Sequence, residues 1–457
     1  HPTVGITGGS GSGATAIAVR GQPTTVYFPP GRYRFSNSNI YLDDMSLVTI
    51  MGDGAILTSD DLGQIMIVYA QNTHYTVVQG LTFSMPMTQY FVPRDQGAGI
   101  KCVGYFHEFI NCRFEHIAQF GLHLGENAEG NNDLARHIKV SNCTFESTGG
   151  DGLHMTWAED VLVTGCSFNN TGDDAIGIIN DGNDYLNFNK EILVTGCKIQ
   201  DPWSMGIRIE GSEDVSISDT TIIGCGEASV CVTSLGVNKI HIPTRRISLT
   251  SLTIKEPGRT RLNSNVHRGV TIEGLQGTIQ DLQIVGCVFT DLVGANNEAI
   301  ELQSLPANTG TGSVLTAVLA SGVVDSVTIG TAGTGYVVGQ QIIFDAYASS
   351  GTGARARITS VNGSGGITGI NVYNGGRDYQ SAPAVFACGE NARIHGLMVI
   401  GCSYVNAGSN PGRVFVSDCT TNGIVANNVA LPPQPSFFLA GTGQCVNSTI
   451  VELYRRP

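Results

Sequence analysis

"GGDGLHMTWAEDVLVTGCSFNNTGDDAIGI", Gly149 to Ile178, states one pattern twice: a turn of Gly and Asp, then a short apolar segment, "DGLHM" at 151–155 and "DAIGI" at 174–178. Between them sits "GCSF" around Cys166. Both registers continue outward. Leu81, Cys112, Cys143, Cys166, Cys197, Thr220, Leu252, Cys287, Cys402 and Asn428 occupy one place in segments such as "NCRF", "NCTF" and "GCVF". Their successive spacings are 31, 31, 23, 31, 23, 32 and 35 residues, then 115, then 26. The second register runs through "AGIKC" (98–102), "FGLHL" (120–124), "MGIRI" (205–209), "ASVCV" (228–232), "RGVTI" (268–272) and "EAIEL" (298–302).

A repeat of this length marks a solenoid. Each unit carries at least two short strands between Gly, Asn and Asp turns. Alternation within a strand, with Ile207 and Ile209 on one side and Gly206 and Arg208 on the other, makes one face core and the other wet. The sequence therefore predicts an all-β, right-handed parallel β-helix. Like residues stack coil on coil at ~4.8 Å, beyond the ~3.8 Å between Cβ atoms that a disulfide prefers, so the cysteine row is expected to be free core thiols.

Composition agrees: 59 glycines among 457 residues, 14% charged and 7% aromatic side chains describe a turn-rich β protein. The net charge of −13 disfavours nucleic acid or anionic membrane as partner. No stretch approaches the ~18 apolar residues of a membrane span, and His1 opens without a signal-like apolar run. The expected organisation is a cap with first strands (1–33), the β-helix (34–305), an inserted Gly-rich β domain (306–389), final coils (390–430) and a C-terminal packing segment (431–457). The insert repeats internally: "VDSVTIGTAGTGYVVGQQIIF" (324–344) is similar to "ITGINVYNGGRDYQSAPAVF" (367–386), with Tyr336 and Tyr379 in matching turns.

"VYFPPGRYRF" (26–35) at the head of such a coil series resembles the pectate-lyase-like superfamily, and the Gly-rich insert resembles those of bacteriophage tail proteins. Together they resemble a phage tailspike, a polysaccharide depolymerase. "GGDG" (149–152) and "TGDD" (171–174), with Asp151 and Asp174 23 residues apart, are similar to the Asn-Thr-Asp and Gly-Asp-Asp motifs of polygalacturonase-type glycoside hydrolases. That resemblance implies catalytic roles for Asp151, Asp173 and Asp174. The same family carries Gly-His-Gly one coil on, where this chain has Met205, and its Arg-Ile-Lys motif is only approximated by "RIE" (208–210). Uronic-acid specificity does not carry over. Alternation sets Cys231 where neighbouring coils carry Lys101, His123, His154 and Arg208, so an exposed apolar flank is expected there, and the resemblance further implies a virion tail location and a parallel homotrimer, with Phe437, Phe438 and Leu439 packing onto neighbouring chains.

Hydrolysis of a glycosidic bond needs one protonated carboxyl and one carboxylate. A β-helix sets their spacing by counting coils. Asp151 and Asp174 fall one coil apart, and Asp173 turns the other way as the candidate proton donor. The outward register adds His123, His154, Arg208 and Glu210 as substrate-binding candidates, with Glu126, Glu298 and Glu301 nearby and Trp157 and Trp203 as sugar-stacking platforms. Each has a plainer explanation: Asp in a turn bonds local amides, Arg208 and Glu210 form a surface ion pair, and Glu298 and Glu301 face solvent. Asp181, Asn183 and Asp184 lack the spacing of a calcium loop. The reading calls for no metal and no cofactor. Three functions stay open: a hydrolase of a bacterial surface polysaccharide, a lyase using His154 as base, and a non-catalytic glycan-binding protein.

Overall fold

The computed structural model describes residues 3–5, 23–35, 39–42, 44–59, 65–69, 73–85, 97–125, 134–180, 189–234, 244–257, 267–274, 279–291, 297–303, 310–338, 341–345, 352–377, 379–387 and 394–405, with short strands at 413–417, 421–426, 429–431, 449–451 and 454–455. Glu126, Asp181, Asn183, Asp184 and Phe437 to Leu439 lie outside these residues.

A coil contains three strands rather than the two that the sequence registers mark. In one, Ala135–Ser141 is followed by Thr144–Glu146 and Leu153–Met155; the next repeats these as Ala158–Thr164, Ser167–Asn169 and Ile176–Ile179. Every strand pairs in parallel with its counterpart one coil on, as Val140 with Val163, Phe145 with Phe168 and Leu153 with Ile176. The third strands form an eleven-stranded parallel sheet, from Ile40–Leu42 through to Arg413–Ser417.

The corners explain the Gly/Asn punctuation. Between first and second strands one residue takes a left-handed conformation: Asn142 (φ 53°), Gly165 (63°), Gly196 (63°) and Asp219 (48°). Glycine and asparagine tolerate this region at least cost. The residue after each corner points inward, and there the cysteines stack. All nine described cysteines are free and buried. Cys143 Sγ reaches the Phe109 carbonyl of the preceding coil at 3.5 Å, and Cys166 reaches that of Val140 at 3.7 Å. Beside them Phe83, Phe114, Phe145 and Phe168 stack with centroids 4.9, 4.9 and 4.6 Å apart, the spacing that the parallel ladder imposes. Each ring contributes about 1.5–3 kcal/mol through burial alone.

The insert occupies the corner between Asn297–Gln303 and Ile394–Ile400, and the latter strand resumes pairing with Ile279–Val285. Its six strands form one sheet of two three-stranded halves. Each half places its last strand in the other: Ala384–Ala387 pairs with Thr311–Ala320, and Gln341–Asp345 pairs with Thr352–Val361. Tyr336 donates its N–H to Gly365 and Tyr379 donates its own to Gly322, so each turn closes on the opposite half.

Cys231 corrects an expectation. It shares a column with Arg208 and Thr271, but it is 1% exposed and forms no apolar flank. Much of the outward column of the third sheet is covered in this way, with Lys101, His123, His154, Thr271 and Glu301 buried and Arg208 half-buried. Period-two alternation shows which side of its own sheet a residue takes; it carries no information about what covers that side.

Candidate active site

A column of side chains on the outward face of the eleven-stranded sheet runs Lys101, His123, His154, Gly177, Arg208, Cys231, Thr271 and Glu301. In the turns just before the strands, Asp174 follows Asp151 by one coil and donates its backbone N–H to Oδ1 of Asp151 at 3.1 Å. Asp174 Oδ1 in turn accepts the N–H of Met205, on the following coil, at 3.0 Å. The sequence placed Asp173 facing away, yet one carboxylate oxygen from each of Asp151, Asp173 and Asp174 lies within 4.8 Å of the others.

Burial and mutual repulsion make this a proton-holding site. Desolvation, then the charges of Asp151 and Asp173, push the Asp174 carboxyl well above the usual carboxylate range. Desolvation and Asp151 raise Asp173 to about 6, against the pull of Arg208 and a hydrogen bond from Ser204. Asp173 is only half-buried, whereas Asp151 and Asp174 are 3% and 2% exposed. Asp173 is therefore the member that combines a retained proton with an open approach.

His154 Nδ1 meets Asp151 Oδ2 at 2.6 Å, and its Nε2 meets Thr156 Oγ1 at 3.0 Å. Gly177 leaves room for this pair: a Cβ there would stand 2.5 Å from Asp151 Oδ2 and 3.2 Å from His154 Nδ1. His123 touches the His154 ring edge-on, with centroids 5.1 Å apart. Arg208 reaches across from two coils away. Burial opposes its charge, but the carboxylates, Glu210 foremost, hold it protonated above the ordinary guanidinium value.

Several sequence assignments change. Arg208 and Glu210, 2.6 Å apart, are no surface pair, because Glu210 is fully buried and only the guanidinium is partly exposed. Glu298 and Glu301 do not face solvent; both are buried against Arg268. The Trp157 ring is 6% exposed, so its face is closed to a sugar. Trp203 is half-buried in the turn that supplies Ser204 and the Met205 amide. Sequence reasoning missed Glu227, half-buried, whose charge adds to the elevation of Asp173. Its signal was available: Asp173 accepts the Ser204 N–H and Ser204 accepts the Glu227 N–H, so all three share one column at coil spacing. Phe120, Thr156 and Gly177 were missed because nothing in a Phe, Thr or Gly marks it as chemical.

Residues 96–317 match the family model described as "Right handed beta helix region". The chain folds as a right-handed parallel β-helix. No curated protein matches the sequence. Among solved structures, the catalytic unit of the thermostable GH87 alpha-1,3-glucanase from Streptomyces thermodiastaticus strain HF3-3 aligns over 94% of this chain at 14% identity and a TM-score of 0.57. The β-helix chain spans 64% of the length of that glucanase unit. The A-module of mannuronan C-5 epimerase AlgE4 from Azotobacter vinelandii aligns over 61% of this chain and 82% of its own, with 16% identity and a TM-score of 0.43. The Dettilon tailspike protein aligns over 80% of this chain and 87% of its own, with 11% identity and a TM-score of 0.41. At 14% identity the likeness to the glucanase unit is one of fold.

Proposed function

We propose that the protein is an endo-acting glycoside hydrolase that cuts a bacterial surface polysaccharide, capsule or O-antigen, as the spike of a phage tail. The convergence of Asp151, Asp173 and Asp174 within 4.8 Å carries this reading. Asp173, protonated up to about pH 6 and half-open, donates a proton to the departing glycosidic oxygen. Asp151 and Asp174, both buried behind Asp173, hold a water admitted beside its half-open carboxyl, and Arg208 steadies the negative charge of the set. Trp203 lies beside this turn, where an aromatic face suits the apolar face of a sugar. The resemblance to tailspikes supports a homotrimer and a virion location.

A lyase reading needs a base with a free lone pair. His154, its candidate, is 3% exposed and has both ring nitrogens engaged, which favours hydrolysis. The deciding experiment incubates the protein with a panel of purified surface glycans and reads polymer length, new reducing ends and ultraviolet absorbance. Hydrolysis shortens the polymer and adds reducing ends without a chromophore. An unsaturated, absorbing product would establish a lyase, and unchanged polymer length across the panel would favour a binding protein.

A further inference from the structure

The His154 ring is fixed more firmly than an accessory histidine requires. Thr156 has one hydroxyl proton, and it donates that proton to the Ile179 carbonyl at 3.2 Å. With that proton given to the carbonyl, the one arrangement that satisfies both Thr156 contacts has His154 Nε2–H donating to Oγ1. One more proton lies between Nδ1 and Asp151 Oδ2, 2.6 Å apart. Phe120 stacks flat on the ring with centroids 4.4 Å apart, an arrangement that favours a cationic imidazole.

We propose that His154 is a positioning residue for Asp151: held by Thr156 and Phe120, it keeps the shared proton on Nδ1, so that Asp151 stays the ionised member of the triplet and the exchangeable proton resides on Asp173 and Asp174. This deepens the hydrolase reading and rests on it. The charges facing the ring favour the assignment on balance. Asp151 lies in the preceding turn, Asp173 and Asp174 in the turn one coil on, and His123 on the coil before. Lys101 and Arg208, two coils away on either side in the same column, oppose a third cation, but Arg208 is already paired with Glu210. Two carboxylates can then hold one proton without the third competing for it, and the division of labour between acid and base becomes fixed by structure.

Nitrogen-15 NMR of histidine-labelled protein tests this without a substrate, the His154 signal being assigned by its loss in H154Q. The expected result is a doubly protonated ring at pH 7.5, where an unperturbed imidazole with a pKa of about 6.5 is neutral. D151N, which retains the acceptor for the Asp174 amide, and T156V, which removes the Nε2 acceptor, should each lower the protonated fraction. In H154Q the acid limb of kcat/KM should move up by about one pH unit, with KM unchanged. A neutral ring with bare Nδ1 at pH 7.5, or an imidazolium indifferent to D151N, would overturn the assignment whatever the activity assays show. An imidazolium in a chain that cuts no glycan would instead overturn the hydrolase reading alone.

Discussion

Asp174 donates its backbone N–H to Oδ1 of Asp151, 3.1 Å away, although 23 residues separate them in the chain. The contact follows from coil stacking: residues one repeat apart become neighbours at the strand spacing, and here the neighbours are two acids. The fold thus forces together charges that an unfolded chain keeps apart. The cost appears as retained protons on Asp173 and Asp174.

The triplet is expected to trade stability for activity. Asp151→Asn, Asp173→Asn and Asp174→Asn should each lower turnover by about 10²–10⁴-fold. Thermal melting should stay level or rise in Asp173→Asn and Asp174→Asn, which ease the crowding of acids and retain an acceptor, whereas Asp151→Asn weakens the buried contact with His154 and should lower it. Reducing-end assays and calorimetry on the same preparations check this; full turnover in all three variants would end the assignment.

Stability should depend on pH in a defined direction. Folded Asp173 holds its proton to about 6 against an ordinary 3.8, so between those values the folded chain binds more protons than the unfolded one. Stability is therefore greatest below about pH 4 for this group, and it falls as pH rises through about 6. Asp174, raised in the same direction, extends the loss upward. Melting curves from pH 4 to 8 should flatten in Asp173→Asn, and kcat/KM of the parent should decline above about pH 6 if Asp173 donates the proton.

Gly177 should tolerate no side chain without loss of function. Its Cβ would enter the space between Asp151 and His154 and would also meet Ile179 Cδ1 at 3.1 Å. Gly177→Ala should cost about 1–3 kcal/mol of stability through overpacking and reduce turnover at least tenfold. Circular dichroism should show an intact β-helix; wild-type activity in this variant would mean that the pair is not needed.

The cysteine ladder should be chemically silent. All nine described cysteines are buried, so an alkylating reagent has no access to them in the native protein, whatever the proton sharing between neighbouring ladder thiols. Iodoacetamide followed by mass mapping should label none of the nine described cysteines in the native protein and all of them after unfolding. A disulfide between ladder positions would refute the stacking register.

Assembly offers a separate check on the tailspike reading. Light scattering should report about three times the chain mass, and deletion of the segment after Leu431 should produce monomers or aggregates. A stable, active monomer would remove the trimer from the proposal.

By itself the sequence determined the solenoid, because parallel stacking turns a chemical repeat into a spatial one. The cysteine and phenylalanine positions named the interior ladders, the 115-residue interval located the insert, and the 23-residue spacing put Asp151 beside Asp174. Tertiary structure decided what alternation cannot express. It covered much of the outward column, burying His154, Glu301 and Cys231, and it closed the face of Trp157. It turned Asp173 toward its neighbours and placed Glu227 below it. The reason is physical: strand periodicity records the side of one sheet, whereas burial, proton affinity and the His154 to Asp151 contact depend on groups that meet only when separate turns and coils have been packed.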